Sequence, residues 1–511
     1  MSSKECVFVP EKSRIFPSTR LFMAAILCTC FIALSVGTSN MAQSMVCMVP
    51  KPTDGNLTSC PLANDEVSAV PCNKAKQYHW TTTEQGFVYA AQNFGSLFMI
   101  LCGWQADRLN GKWTICVALL FLIVANAFLP LAAPVSVWLV FFLRVLTGVG
   151  DALLSPAASS MITRWFPPKE RPFAVGFVTG GRQIGTLLIL PVAGVLCETN
   201  GQPGFSGWPA IFYVSACTAA FCLVIWIFFS ADKPSKHLCI AHHEELYINR
   251  KVEEEHMGKR TKRGSPPWAK LARCRSLYVA VAALVCHEFP LVIMLQFLPK
   301  YFSDILELSN SVNGLVSSLP MAVLFISKTL SSSLASYLTS RYISKTFSCR
   351  MFNTIASLGL GICIGVTPLV NNKALAIVLL CLATAFAGLH TPGVQTALVQ
   401  IAPAYSGVIT GIAFTTVAVF SIINKILTSS ILVHSSKHEW TMVFEMSAIV
   451  ALLPVVFFAM WGSAEREEWA SNRVHKDADQ HSNDSQTSSE SSVQTFAKYS
   501  LYLTHDLTHS S

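Results

Sequence analysis

Two charges interrupt an otherwise apolar stretch, FFLRVLTGVGDALLSPAASSMI at residues 141–162: Arg144 and Asp151. A guanidinium stays charged at physiological pH and holds carboxylate or phosphate through two parallel hydrogen bonds. A carboxyl group in low dielectric can take up and release a proton. Together they suit binding of an anion and coupling to a proton. On a helix the two positions lie about 20° apart in rotation and about 10 Å apart along the axis, so they share a face without forming one direct ion pair. Gly148, Ala152, Ser155 and Ser159 adjoin that face at a spacing suited to close helix packing. Arg144 is therefore expected to face a central cavity, with Asp151 deeper, toward the cytoplasm. The alternative is that a neighbouring helix neutralises each and both serve structure.

Other polar groups sit inside apolar runs. Arg182, in GGRQIGT, is flanked by glycines that would let another group approach, and Lys425, in INKIL, is a further buried-cation candidate. Lys328, in FISKTL, reads better as a side chain that snorkels or packs along its stem. His287 and Glu288, in VCHEFP, open the seventh run and bring a titratable imidazole beside a carboxyl. His390 fits either a satisfied core histidine or a cavity residue. No metal-ligand spacing, nucleotide loop or hydrolase triad stands in a suitable setting, so neither an enzyme nor a cofactor or metal is expected.

The elements that position these groups follow from composition. The 511 residues are 52% hydrophobic and 13% charged, with a mean hydropathy of +0.46. A soluble domain carries roughly a quarter charged residues, so the deficit points to a bilayer. A crossing helix needs about 20 mostly apolar residues. Twelve such runs are legible, at 20–46, 84–105, 113–133, 136–162, 172–197, 208–230, 277–301, 311–339, 348–369, 373–400, 405–432 and 440–461. The first is longer than a signal-peptide core and no small-residue cleavage site follows it, so no cleaved leader is expected. The predicted fold is an all-α membrane protein of twelve transmembrane helices in two pseudo-symmetric six-helix bundles, 20–230 and 277–462. A cytoplasmic N-terminus (1–19), a cytoplasmic connector (231–276) and a disordered cytoplasmic tail (463–511) complete it.

The net charge of +8 follows topology rather than nucleic-acid binding. Lys and Arg concentrate in the segments on the side of both termini, which the positive-inside rule makes cytoplasmic. Most of the 17 cysteines lie within the runs and read as small apolar filler, whereas Cys47, Cys60 and Cys72 fall in the first outer loop. There Cys60 and Cys72 could form a disulfide, and Asn56 begins a glycosylation sequon on the side where the modification occurs.

The second run ends in LCGWQADRLNGKW (101–113), and the eighth in SSSLASYLTSRYISK (331–345), where Ser332 and Ser336 replace Gly103 and Asp107. GWQADRLNGK resembles the loop signature of the major facilitator superfamily, G-x-x-x-D-R-x-x-G-R/K, between spans two and three. It reads as a gate latch. Gly103 allows close helix approach, Asp107 accepts from a helix end and a nearby arginine, Gly111 permits the turn, and Arg108 and Lys112 hold the cytoplasmic side.

Further stretches, RVLTGVGDALLSPAASSMITRWFPPKER (144–171), GGRQIGTLLILPVAGVLCE (180–198), LPKYFSDILELSNSVNGLVSSLP (298–320), QIAPAYSGVITGI (400–412) and EWTMVFEMSAIV (439–450), resemble the anion–cation symporters. That group includes the sodium/phosphate cotransporters, sialin and the vesicular glutamate transporters. The likeness runs from about 20 to 470 in unbroken order. It implies movement of small organic or inorganic anions driven by protons, sodium or membrane potential. By that likeness Arg144 contacts the substrate's carboxylate or phosphate, and the acid at 151 is tied to coupling. The pattern also departs from the family. Ser39 stands near a span-one arginine of the glutamate-type relatives, Ser159 replaces a span-four histidine, and His287 replaces an arginine, while Arg182 and Lys425 are added. The expected substrate-binding set is thus Arg144, Arg182, Ser159 and Lys425, and the coupling set Asp151, His287 and Glu288. The expected partners are a small anion, a coupling proton or sodium ion and the lipid bilayer, for a monomer at the plasma membrane or a vesicular or lysosomal membrane. A non-transporting relative that senses or scaffolds is the rival reading.

Overall fold

The computed structural model describes residues 18–49, 78–99, 101–102, 110–167, 170–198, 207–237, 239–254, 268–402, 406–465 and 467. In a bilayer every backbone N–H and C=O must find its partner within the protein, so long apolar runs become helices. The first six are α1 (Thr19–Met48), α2 (Thr82–Ser96), α3 (Gly111–Ala132), α4 (Val137–Trp165), α5 (Arg171–Glu198) and α6 (Trp208–Phe229). The connector holds α7 (His242–Glu254) and the short α8 (Trp268–Leu271). There follow α9 (Arg275–Gln296), α10 (Leu298–Asp304), α11 (Asn310–Arg341), α12 (Lys345–Val366), α13 (Lys373–Gly388), α14 (Thr396–Ile401), α15 (Ser406–Ile431) and α16 (Lys437–Trp461). Small polar residues start many of them. Ser18, Thr81, Asn110, Ser136, Ser344, Asn372 and Ser436 each accept from a first-turn N–H that the helix itself leaves unpaired.

Among the described residues eleven helices are long and apolar enough to cross a membrane. The second expected run, 84–105, is helical over Thr82–Ser96, and its end falls partly outside the described residues. Two runs expected as single helices are broken. The seventh divides at Phe297, with Pro299 in the first turn of α10 lacking the donor that continuity would need. The tenth passes from α13 through a π-helical turn, Thr391–Gln395, that contains Pro392. Interrupted helices of this kind often line transport sites.

Two sets of helices repeat one packing scheme. In the first, α1 lies on α5 and α6, α2 on α4, and α3 on α4 and α6. In the second, α9 lies on α15 and α16, α11 on α13, and α12 on α13 and α16. Between the sets α5 packs on α11 and α2 on α15, contacts that a pseudo-twofold exchange of the sets would interconvert. The apolar core follows this division unevenly. At the end remote from the connector one core runs through both sets, from Met45 and Tyr89 to Phe297 and Trp440. At the connector end the core splits, one part within the first set around Trp165 and Trp226 and one within the second around Leu284 and Phe458.

The connector is tied to the first set by buried charge. Arg20, 1% exposed, donates to Glu170 at 2.5 Å and to Glu244 of α7 at 3.0 Å, and lies 5.2 Å from the Tyr247 ring centroid. Glu244 also accepts from the backbone N–H groups of Thr19 and Arg20, which start α1. Removing one partner of a buried ion pair leaves the other desolvated and uncompensated. Arg20→Met is therefore expected to cost about 3 kcal/mol, read as a lowered thermal midpoint; an unchanged midpoint would show that the clamp contributes nothing.

Near it, Gly111 N donates to Asp232 at 2.8 Å, Arg164 pairs with the same oxygen at 2.6 Å, and Lys112 donates to the Ile227 and Ser230 carbonyls that end α6. A Cβ at Gly111 would stand 2.6 Å from Met161 Cγ; this residue begins α3 rather than a turn, so its small size serves packing against α4 and not the turn expected of it. Gly103, Asp107 and Arg108 lie outside the described residues, as do Asn56, Cys60 and Cys72. The disulfide among the described residues joins Cys47 to Cys197, at the remote ends of α1 and α5, with Cα atoms 6.1 Å apart. Cys197, expected as apolar filler, is thus a crosslink.

Candidate functional site

Backbone contact between α2 and α4 sets the centre of the first set. Gly148 lies so close to Gln92 and Gly95 that a Cβ there would stand 2.9 Å from Gly95 Cα. This contact brings the α2 side chains at 92 and 93 beside the first half of α4.

Arg144, 2% exposed, is surrounded by neutral oxygens. Its Nη1 donates to the Gly37 carbonyl at 3.1 Å and Asn40 Oδ1 at 3.3 Å, and its Nη2 to the Thr38 carbonyl at 2.8 Å and Gln92 Oε1 at 3.3 Å. Asn40 is fixed from behind, donating to Asn126 Oδ1 and Ser215 Oγ at 2.8 and 2.9 Å, so its carbonyl faces the guanidinium. No carboxylate among the described residues pairs with Arg144, and its Nε is buried without an acceptor. The charge is solvated by dipoles and left unneutralised.

Lys425 reaches the same neighbourhood from the second set. It is 4% exposed and donates to the Tyr89 carbonyl at 3.0 Å and Asn93 Oδ1 at 2.6 Å, both on α2. It too lacks a carboxylate partner among the described residues, and it stands close enough to Arg144 for the two charges to repel.

Arg182 and Asp151 are brought together instead. The guanidinium spans the carboxylate at 2.5 and 3.3 Å and donates to Ser155 Oγ at 2.7 Å, while Phe31 covers it at 5.2 Å. Asp151 is thus a buried counterion to an arginine on the next helix in the chain. Ser159 is exposed one turn beyond Ser155 and donates to the Ser155 carbonyl, away from Arg144.

A third cluster lies in the second set. His287 and His390 are both buried and stack with centroids 3.7 Å apart and planes at 11°. His390 Nδ1 meets Asn353 Oδ1 at 3.1 Å; His287 Nδ1 and His390 Nε2 are buried without partners among the described residues. Glu288 is half-buried and Lys328 of α11 stands near enough to attract it, without a hydrogen bond between them. Lys328 also feels Arg182 across the boundary between the sets.

Sequence reasoning missed Asn40, Gln92 and Asn93, which shape the Arg144–Lys425 centre. Their signal was present as amides inside apolar runs, where an unpaired polar group is costly. Gln43, one turn along α1 from Ser39, is fully buried with both amide atoms unpartnered and belongs with them.

A family model described as Major Facilitator Superfamily matches residues 25–424. Human sialin is 27% identical over 443 residues, covering 85% of this chain and 88% of its own. An uncharacterized transporter, slc-17.2, from Caenorhabditis elegans is 29% identical and covers 90% of this chain and 94% of its own. The mouse sodium-dependent phosphate transport protein 3 is 27% identical, covering 78% and 83%. Among solved structures, a D-xylose-proton symporter superposes with a TM-score of 0.64 at 14% identity, over 87% of this chain and 98% of that one. This last likeness concerns the fold.

Proposed function

The chain belongs to the Major Facilitator Superfamily, and from that premise we propose that it is a secondary active carrier of small organic or inorganic anions, working by alternating access of its two helix sets around Arg144. The observation that carries this reading is a buried guanidinium held, among the described residues, only by neutral oxygens. A charge at mid-bilayer is costly, and an arriving anion supplies the compensation that the protein withholds. Relatives named for sialin and for phosphate transport support the same substrate class.

The two ends of the molecule differ in a way that suits such a cycle. At the end remote from the connector, Gly194 of α5 meets Gly314 of α11, Gly86 of α2 meets Ser429 of α15, and the Tyr89 and Phe297 rings approach to 4.7 Å. At the connector end, a Cβ added to Gly176 or Gly411 would meet nothing within 4 Å among the described residues. With the basic connector side cytoplasmic, this is an inward-facing arrangement. Coupling is assigned to Glu288 and the adjoining His287–His390 pair. Asp151 is engaged by Arg182, whereas Glu288 has no hydrogen bond among the described residues and only the Lys328 charge beside it.

The test is uptake of a panel of radiolabelled anions into liposomes holding the purified protein, with and without a pH or sodium gradient. Anion-dependent flux is expected; its absence under every gradient removes the carrier reading, and binding without flux would favour a sensor or scaffold. Glu288→Gln should retain exchange but lose gradient-driven accumulation, and unchanged accumulation would remove Glu288 from coupling.

A further inference from the structure

Among the described residues, six charged side chains lie buried or half-buried in the interior of the spans: Arg144, Asp151, Arg182, Glu288, Lys328 and Lys425. Asp151 balances Arg182 through two hydrogen bonds, and Glu288 attracts Lys328. Farther along, Lys300 and Asp304 pair with each other at 3.1 Å. What remains is two cations, Arg144 and Lys425, each coordinated by neutral oxygens and repelling one another.

Resting on the anion-carrier reading, we infer that the transported anion carries two negative charges and is held between Arg144 of the first set and Lys425 of the second. A monovalent ion would leave one cation uncompensated in a low-dielectric interior, where each unbalanced charge costs several kcal/mol. A dicarboxylate or a divalent oxyanion balances both. The donors suit this division. Arg144 keeps its Nε–H without an acceptor, and Lys425 has two acceptors among the described residues for its three N–H bonds. Their placement also links charge to movement. Lys425 comes from α15 and bonds to α2, so it crosses the boundary that must open and close. An anion bridging it to Arg144 draws the two sets together, whereas an ion satisfying Arg144 alone does not. Arg182, held by Asp151, is not part of this pocket.

The experiment compares anions of matched size and different charge, as protection of the purified full chain from heat and as uptake into liposomes. Succinate is set against succinamate, in which one carboxylate becomes an amide, and sulfate against methanesulfonate, at a pH where both succinate carboxyls are ionised. At least one divalent member is expected to bind about tenfold or more tightly than its monovalent partner. The pair in which the preference appears distinguishes a dicarboxylate from an oxyanion. Lys425→Gln should bring that ratio to about twofold or less, and Lys425→Arg should preserve it. Equal binding of the two members of each pair, or a preference that survives Lys425→Gln, overturns the divalent assignment and leaves the carrier reading standing. Protection and uptake by none of the four ions overturns the divalent assignment, and the carrier reading falls with it only if the full anion panel also gives no flux. Should Lys425→Gln fail to run as a single species on size exclusion, the wild-type ratio and its retention in Lys425→Arg decide the question.

Discussion

Arg144→Gln is expected to abolish anion binding and uptake, by about a hundredfold or more, while the protein folds and melts at or above the wild-type temperature. Losing one partner of a desolvated, hydrogen-bonded charge pair costs about 2–5 kcal/mol in binding, which sets the scale. The expected stability runs the other way because Arg144 has no carboxylate partner among the described residues. The Gly37 and Thr38 carbonyls lie within α1, and Asn40 keeps its bonds to Asn126 and Ser215. Removing the guanidinium therefore takes away an unneutralised buried charge and strands no acid. A structural arginine would behave oppositely, losing stability with its charge. Uptake at wild-type rate would exclude Arg144 from the site; a collapse of folding would make its role architectural.

Gly314→Leu tests the movement. Gly314 of α11 faces Gly194 of α5 across the boundary between the helix sets, close enough that a Cβ would stand 2.9 Å from Gly194 Cα. A leucine cannot be housed unless the remote ends separate. Overpacking costs about 1–3 kcal/mol, and in a two-state equilibrium about 1.4 kcal/mol is tenfold. Uptake is therefore expected to fall by about tenfold or more, with each set still folded because the clash lies between them. A Ser429→Cys reporter, placed where α15 meets Gly86, should become reactive toward a water-soluble thiol reagent from the remote side. Unchanged uptake and labelling would place the Gly194–Gly314 contact outside the transport cycle.

The span pattern was legible in the sequence because hydrocarbon demands long apolar helices, and α4, α5 and α6 begin and end within three residues of the runs read at 136–162, 172–197 and 208–230. The breaks at Phe297 and at the π-helical turn after His390 were not read, although Pro299 and Pro392 marked them. Charges within the spans could be recognised singly, since each is conspicuous among apolar neighbours. Their partners could not. Asp151 looked like a companion of Arg144 because both lie on α4, yet Arg182 on α5 takes it. Lys425 and Asn93 are 332 residues apart in sequence, and only the packing of α2 on α15 brings them together. Helical periodicity tells which residues share a face and is silent on what that face meets.

The greasy joint that unites Tyr89, Phe297 and Trp440 at one end gives the empty carrier a default posture. Association of oily side chains weakens on cooling and is little affected by sodium chloride at the moderate concentrations that screen charges, unlike a lock made of exposed ion pairs. The unloaded protein should therefore rest facing the connector across moderate sodium chloride concentrations, and chilling should loosen that preference. A Ser429→Cys thiol whose reactivity followed salt rather than temperature would show that ions hold the joint instead.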